Sequence, residues 1–422
     1  MPLTDLEHSA QNPKLNSFNM PRVRKATAKN KTPRNRVKRI ALLLESDMAF
    51  DRGVARGIGE YIRTHTGWII LMDPMLESCI DAIEHWQPDG IITSIHLPEI
   101  REIGKLEKIP TVGFGSYSKA LEDVLTFPLI TADQEAIGRM AAQHFVNKGF
   151  RHFAFCGGNE EELWRTQRRN GFAEELESQG FTCDFYEPKP GPKKNMPEKV
   201  RAVGKWLKSL PKPNGVFVFF DGWARWVLDA CVVEQINVPQ EVSVLGVDND
   251  RWLCELAQPM LSSVDQNVQR AGYKAAEILH NIMDGQKNPP RITRIAPREV
   301  VARDSSNFMN FEDPEVAFAL RYIQEHACDP ITTADVLKIT GMSNSTAYRK
   351  FMKALGRSIH TEIQNTQMDR IKNLLTTTNM SISTVSKAAG FDNVRYLTQV
   401  FREGTGKTPT EYRRTQSNPK VS

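Results

Sequence analysis

Arg395, Thr398, Gln399 and Arg402 are spaced for one face of a helix near the C-terminus, and Leu397, Val400 and Phe401 fall on the opposite face. At the helical repeat the apolar three form a buried stripe, which leaves the polar four facing outward. Guanidinium and carboxamide groups match the donors and acceptors of base edges, and guanidinium also matches phosphate. The pattern predicts a helix that reads a DNA groove. Upstream, Ile382, Val385, Ala388 and Ala389 share a helical face that stops at Gly390, so helix, turn and helix follow one another here.

A second set of residues fits a polyol. Short apolar runs at 39–46, 68–73, 90–95, 110–116, 151–158, 182–187, 215–220 and 242–248 predict buried strands. Amphipathic stretches at 52–64, 77–86, 98–107, 133–148, 163–179, 197–209, 223–235 and 267–284 predict the helices around them. This alternation predicts parallel, doubly wound sheets, and its restart after 128–133 predicts two α/β lobes closing like a clam-shell. A ligand would then lie outside the carboxyl ends of the strands. Phe50, Asp51, Asp73, Asp221, Asp248 and Asn249 stand at those ends. Carboxylates and an amide accept hydroxyl hydrogen bonds, and Trp164 and Trp223 offer rings for the C–H faces. A strand-terminal Asp is as commonly a helix cap or turn former, and Arg168, four residues after Trp164, equally fits a surface ion pair. Residue by residue, both readings stay open.

The whole chain sets bounds on these sites. At 422 residues it holds two or three domains. Residues 1–39 carry net +8, residues 40–312 net −8 and residues 313–422 net +5, which places binding of a polyanion at an end. No run of eighteen apolar residues and no export signal appear, so a cytoplasmic protein without a membrane partner is expected. The six cysteines include no C-x-x-C, and neither a metal site nor a disulfide framework is expected. No P-loop, H-E-x-x-H or G-x-S-x-G occurs, so no catalytic residue, no cofactor and no enzyme is expected. The competing reading is a sugar-binding or sugar-processing protein with an appended helical module.

Residues 313–378 repeat the helical theme, with Gly341 ending one helix and Ser343 capping the next. A long helix at 359–375 would hold two reading helices about one DNA turn apart. Gly390, Phe391, Tyr396, Leu397, Phe401, Arg402, Gly406, Thr408, Pro409, Tyr412 and Arg413 spell a motif that resembles the signature of AraC-type transcriptional regulators. The resemblance implies DNA contact by Asn344, Ser345, Tyr348 and Arg349 in the first unit, and by Arg395, Tyr396 and Gln399 in the second.

R-x-x-G-F at Arg168, Gly171 and Phe172, the DGWAR run at 221–225 and GVDND at 246–250 are similar to the ligand-binding part of LacI-type repressors, which resemble periplasmic sugar-binding proteins. The order of domains, with FDRGVARGIGEYI at 50–62, LSSVDQNVQRAGYKAAEILH at 261–280 and TTNMSISTVSKAAGF at 377–391, resembles the xylose operon regulators. That resemblance implies sugar hydroxyls on Asp221, Asp248 and Asn249, with Arg168, Asp51 and Trp164 in support. It also implies a D-xylose effector, promoter DNA, RNA polymerase and a homodimer as partners, and activation of pentose genes. The expected organisation is a basic tail at 1–36, a periplasmic-binding-protein-like α/β clam-shell at 37–304, a polar linker at 305–312 and an all-α domain with two helix-turn-helix units at 313–418.

Overall fold

The computed structural model describes residues 37–417, apart from 46–47, 66, 73–82, 84, 98–107, 118–125, 158–162, 187–195, 312, 327–328, 330, 379 and 392. The basic tail, Asp73, the expected helix 98–107 and most of the expected helix 77–86 lie outside the described residues.

Two six-stranded sheets form the α/β region. The first runs β2 (Trp68–Leu71), β1 (Lys38–Leu43), β3 (Gly90–Ser94), β4 (Thr111–Phe114), β5 (Leu129–Ala132) and β11 (Ile292–Ile295), all parallel. The second repeats the order as β7 (Cys183–Phe185), β6 (His152–Cys156), β8 (Asn214–Val218), β9 (Val242–Val247), β10 (Ser262–Asp265) and an antiparallel edge strand, β12 (Glu299–Val301). Every residue of β3, β4, β5, β8 and β9 is buried, as helices on both faces require, and this is why these strands read as continuous apolar runs.

Each lobe holds one helix pair in close contact through reciprocal glycines. In the first, α1 (Ala49–Thr64) meets α7 (Val268–Met283), where a Cβ on Gly57 would stand 1.9 Å from Gln269 O and one on Gly272 1.9 Å from Val54 O. In the second, α2 (Gln134–Asn147) meets α3 (Leu163–Ser178), where a Cβ on Gly138 would stand 2.2 Å from Arg168 O and one on Gly171 2.2 Å from Glu135 O. Any side chain there would drive the helices apart.

The chain crosses between lobes after β5, after β10 and after β11. The region 292–302 is therefore two strands in different sheets, and the helix expected at 267–284 returns to the first lobe. Three further helices belong to the second lobe: α4 (Met196–Ser209), α5 (Asp221–Val233) and α6 (Arg251–Leu256), the last without a signal in the periodicity.

Seven helices follow: α8 (Pro314–His326), α9 (Thr333–Thr340), α10 (Asn344–Leu355), α11 (Ile359–Thr377), α12 (Ile382–Ala388), α13 (Val394–Thr405) and α14 (Pro409–Ser417). They build two small cores, one around Val316, Leu320, Val336 and Phe351, the other around Val385, Leu397 and Phe401. The long α11 gives Ile359 and Ile363 to the first core and Ile371, Leu374 and Leu375 to the second. Its 19 residues span roughly 28 Å. Among the described residues no helix is long and apolar enough to cross a membrane.

Candidate ligand cleft and nucleic-acid interface

The loop that ends β9 is bent unusually. Asp248 has φ +115° and Asn249 φ +49°, consecutive non-glycine residues in a region that L side chains avoid. Such backbone persists only where its surroundings hold it, and it concentrates at functional sites. Asp221 does the holding. Its Oδ2 accepts from the Asp250 N–H at 2.9 Å and from the Cys254 thiol at 3.4 Å, and its Oδ1 accepts from Ser263 Oγ at 2.7 Å. Ser263 Oγ in turn accepts from the Asn249 N–H at 2.9 Å. Asp221 is fully buried, and burial together with the Asp248 carboxylate raises its pKa well above the ordinary range. Direct sugar contact was expected of Asp221. Both of its oxygens accept from protein groups, so Asp221 also holds the loop in place.

Asn249 is similarly committed: its Oδ1 accepts from Arg303 Nη2 at 2.7 Å, and its Nδ2 lies 3.5 Å from Asp265 Oδ2. Asp248 lines the cleft together with Asp250 and Asp265. Burial pushes its pKa up to about 6 against the opposing pull of the Arg168 guanidinium and the Gln266 amide, which donates to Asp248 Oδ1.

Arg168 is buried, so the reading of it as a surface ion-pair residue fails. It donates from Nε to Gln134 Oε1 at 2.7 Å and from Nη1 to the Phe219 carbonyl, and its guanidinium lies 4.7 Å from the Trp164 ring centre. Burial lowers its pKa to about 10, and the Asp248 and Asp221 carboxylates oppose that shift. Trp164 continues into an aromatic wall, with Phe219 at 5.9 Å and Trp223 beyond it at 5.7 Å from Phe219. Asp51 sits in the first turn of α1, buried, and its Oδ2 accepts from the Glu45 N–H at 2.9 Å, the turn-forming role weighed for a strand-terminal Asp.

Sequence reasoning missed Gln266, Ser263 and Gln134. Gln266 follows β10 directly, 4% exposed, and its Oε1 has no hydrogen-bond partner among the described residues. A buried carboxamide oxygen without a donor is costly unless something else supplies one. Its position after a strand end, next to a crossing, was the available signal.

At the other end of the chain the residues that the resemblance implies as DNA contacts are all on the surface. Asn344, Ser345, Tyr348 and Arg349 are exposed on α10, and Arg395, Tyr396 and Gln399 on α13. Ser343 caps α10 through the Thr346 N–H, and Asn393 caps α13 through the Arg395 and Tyr396 N–H groups. Thr398 is less available, because its hydroxyl donates to the Val394 carbonyl at 2.7 Å. Tyr412 packs edge-on against Phe401, and Arg413 Nε donates to the Leu375 carbonyl at 3.2 Å, so α14 closes the second core.

The segment read as a polar linker is built into the second lobe. Ser305 Oγ donates to the Val244 carbonyl at 2.7 Å and accepts from the Ser262 N–H at 2.8 Å, while Ser306 Oγ meets His144 Nε2 at 2.9 Å. The Asn310 N–H donates to the Lys148 carbonyl at 2.7 Å. Hydroxyl and amide side chains suit a segment that must satisfy strand-edge backbone. Arg370 of α11 also reaches Glu299 of β12 at 3.6 Å.

Residues 39–135 match the model of the XylR N-terminal domain, residues 142–306 that of a periplasmic binding protein-like domain, and residues 336–415 that of a helix-turn-helix domain. The xylose operon regulatory protein of Haemophilus influenzae is 33% identical over 378 residues, covering 89% of this chain and 98% of its own. That of Escherichia coli K12 is 30% identical, covering 89% and 96%. A solved structure of the xylose-binding transcription activator xylR aligns with a TM-score of 0.57 at 29% identity, over 90% of this chain and 99% of that one. Transcription regulator CcpA of Lactococcus lactis, at 16% identity and a TM-score of 0.50 over 64% of this chain and 100% of its own, shares the fold of the α/β region alone. The chain belongs to the family of xylose operon regulatory proteins, transcriptional regulators that join a periplasmic-binding-protein-like domain to an AraC-type DNA-binding domain.

Proposed function

We propose that this protein is a DNA-binding transcription activator whose effector is a pentose, D-xylose, held between the two lobes. The observation that carries the sugar site is the pairing of Asp248 with Gln266 at the ends of the adjacent strands β9 and β10, a carboxylate acceptor beside a buried carboxamide oxygen that lacks a donor among the described residues. Hydroxyl groups both donate and accept, so a polyol satisfies both at once. The Arg168 guanidinium supplies donors from the same side, and Trp164 with Phe219 supplies an apolar face for ring C–H groups. In this reading Asp248, Gln266 and Arg168 touch the sugar, Trp164 packs against it, and Asp221, Asn249 and Asp51 hold the backbone that presents them.

A sugar that bridges the lobes binds the closed arrangement better than the open one, and only that difference in affinity can bias the DNA-binding helices. The proposed partners are promoter DNA, a second copy of the chain for repeated half-sites, and RNA polymerase. Asn344, Ser345, Tyr348, Arg349, Arg395, Tyr396 and Gln399 are the proposed DNA contacts. Calorimetry of the purified protein with a panel of pentoses and hexoses tests the effector: xylose should bind, and unchanged, without being consumed. Heat of binding from hexoses alone would reassign the sugar.

A further inference from the structure

We propose that Gln134 is a positioning residue that couples the angle between the lobes to the orientation of Arg168; this rests on the cleft being the sugar site. Gln134 opens α2 just past the first crossing and is 4% exposed. Its amide reaches both ways. Oε1 accepts from Arg168 Nε at 2.7 Å in the second lobe, and Nε2 donates to Ser116 Oγ at 3.4 Å, just beyond β4 of the first lobe. The Ser116 N–H donates to His96 Nε2 at 3.3 Å, beyond the end of β3. On the other side Arg168 donates to the carbonyl of Phe219, just past β8. A line of hydrogen bonds therefore runs from the carboxyl end of one sheet to that of the other, and the buried carboxamide of Gln134 is its middle member.

Three features make this a coupling device. A carboxamide accepts from the guanidinium and donates to the serine with one rigid group. The contacts of Gly138 and Gly171 fix α2 on α3, so Gln134 and Arg168 move together. The Ser116 bond is the link that a change of lobe angle must stretch, and at 3.4 Å it is at the long end of the useful range. Closing the lobes shortens it and fixes the amide plane; opening them frees the amide, and with it the Nε partner of Arg168.

The test uses the full-length protein, with xylose affinity by calorimetry and lobe separation by small-angle X-ray scattering. Losing an acceptor for a buried guanidinium should cost about tenfold, and losing a neutral bond about threefold. Accordingly Gln134→Leu should weaken xylose about tenfold and Ser116→Ala about threefold, and the double variant should be no weaker than Gln134→Leu alone, because both act through one amide. Gln134→Glu, which still accepts from Arg168 and can accept from the Ser116 hydroxyl, keeps the link with its direction reversed and should bind xylose better than Gln134→Leu. A merely structural glutamine would give independent, multiplying losses in the double variant, which would overturn the proposal, as would wild-type affinity in Gln134→Leu. If the wild-type protein binds no pentose, the functional reading falls. The coupling is then decided by scattering of the sugar-free proteins: a more open average in Gln134→Leu and Ser116→Ala supports it, and unchanged profiles refute it.

Discussion

Arg303 Nη2 donates to Asn249 Oδ1 at 2.7 Å, which ties the bent loop after β9 to the residue where the chain leaves β12 for the DNA-binding helices. Arg303 is anchored twice more, from Nη1 to the Leu261 carbonyl at 2.8 Å and from its N–H to Ser262 Oγ at 2.7 Å. Two residues later Ser305 is locked to β9 and β10. The loop that would feel the sugar and the root of the DNA-binding domain are thus one hydrogen-bonded unit.

Arg303→Ala should uncouple the two ends without destroying either. The difference in DNA affinity with and without sugar, a factor of about 5–150 in coupled systems, should shrink severalfold, while sugar affinity falls only modestly. Parallel gel-shift titrations with and without xylose measure this. Equal coupling in the variant would show that the signal travels elsewhere.

Asp248 makes a pH prediction. Its pKa is raised in the folded protein to about 6 from 3.8, so the folded chain holds this proton more tightly than the unfolded one. The resulting stability is present below about pH 4 and lost as pH rises through about 6. Asp248→Asn should therefore melt higher than the wild type at pH 7.5, by a few degrees for roughly 1–3 kcal/mol, and the gap should close near pH 4. Asn also tolerates positive φ. The same variant should lose at least about tenfold in sugar affinity, because a charged acceptor becomes neutral. In the wild type, sugar binding to the ionised carboxylate should weaken as pH falls through about 6. Calorimetry between pH 5 and 8 reads the slope, and a flat profile would remove Asp248 from direct contact.

Arg395→Ala separates base reading from phosphate binding. If Arg395 contacts a base edge, the loss of about 1–3 kcal/mol should be confined to operators carrying that base pair. A phosphate contact would weaken all sequences alike and lower the salt slope by about one unit.

Much of this architecture was legible in the sequence because the strong signals are local. Helical spacing around Leu397 and Phe401, glycines ending helices at Gly341 and Gly390, and the serine cap at Ser343 act within a few residues of themselves. The seven-helix domain followed from them almost element by element. The cleft was legible only as a set of strand ends. Periodicity cannot tell that Asp221 would spend both oxygens on the Asp250 N–H, Cys254 and Ser263, because those partners come from another strand, another helix and a loop. Nor can it show that Ile292–Ile295 and Glu299–Val301 join different sheets, since the pairing of a strand depends on partners distant in the chain. Gln134 and Gln266 looked like ordinary polar residues, and only burial marks them.

The central claim, that sugar in the cleft controls DNA reading at the other end of one chain, is tested most directly by a gel-shift and footprint titration of the full-length protein on its promoter with increasing xylose. Xylose should raise the affinity or alter the footprint at saturating concentration, and glucose at the same concentration should do neither. An affinity and a footprint unchanged across the xylose titration would contradict it.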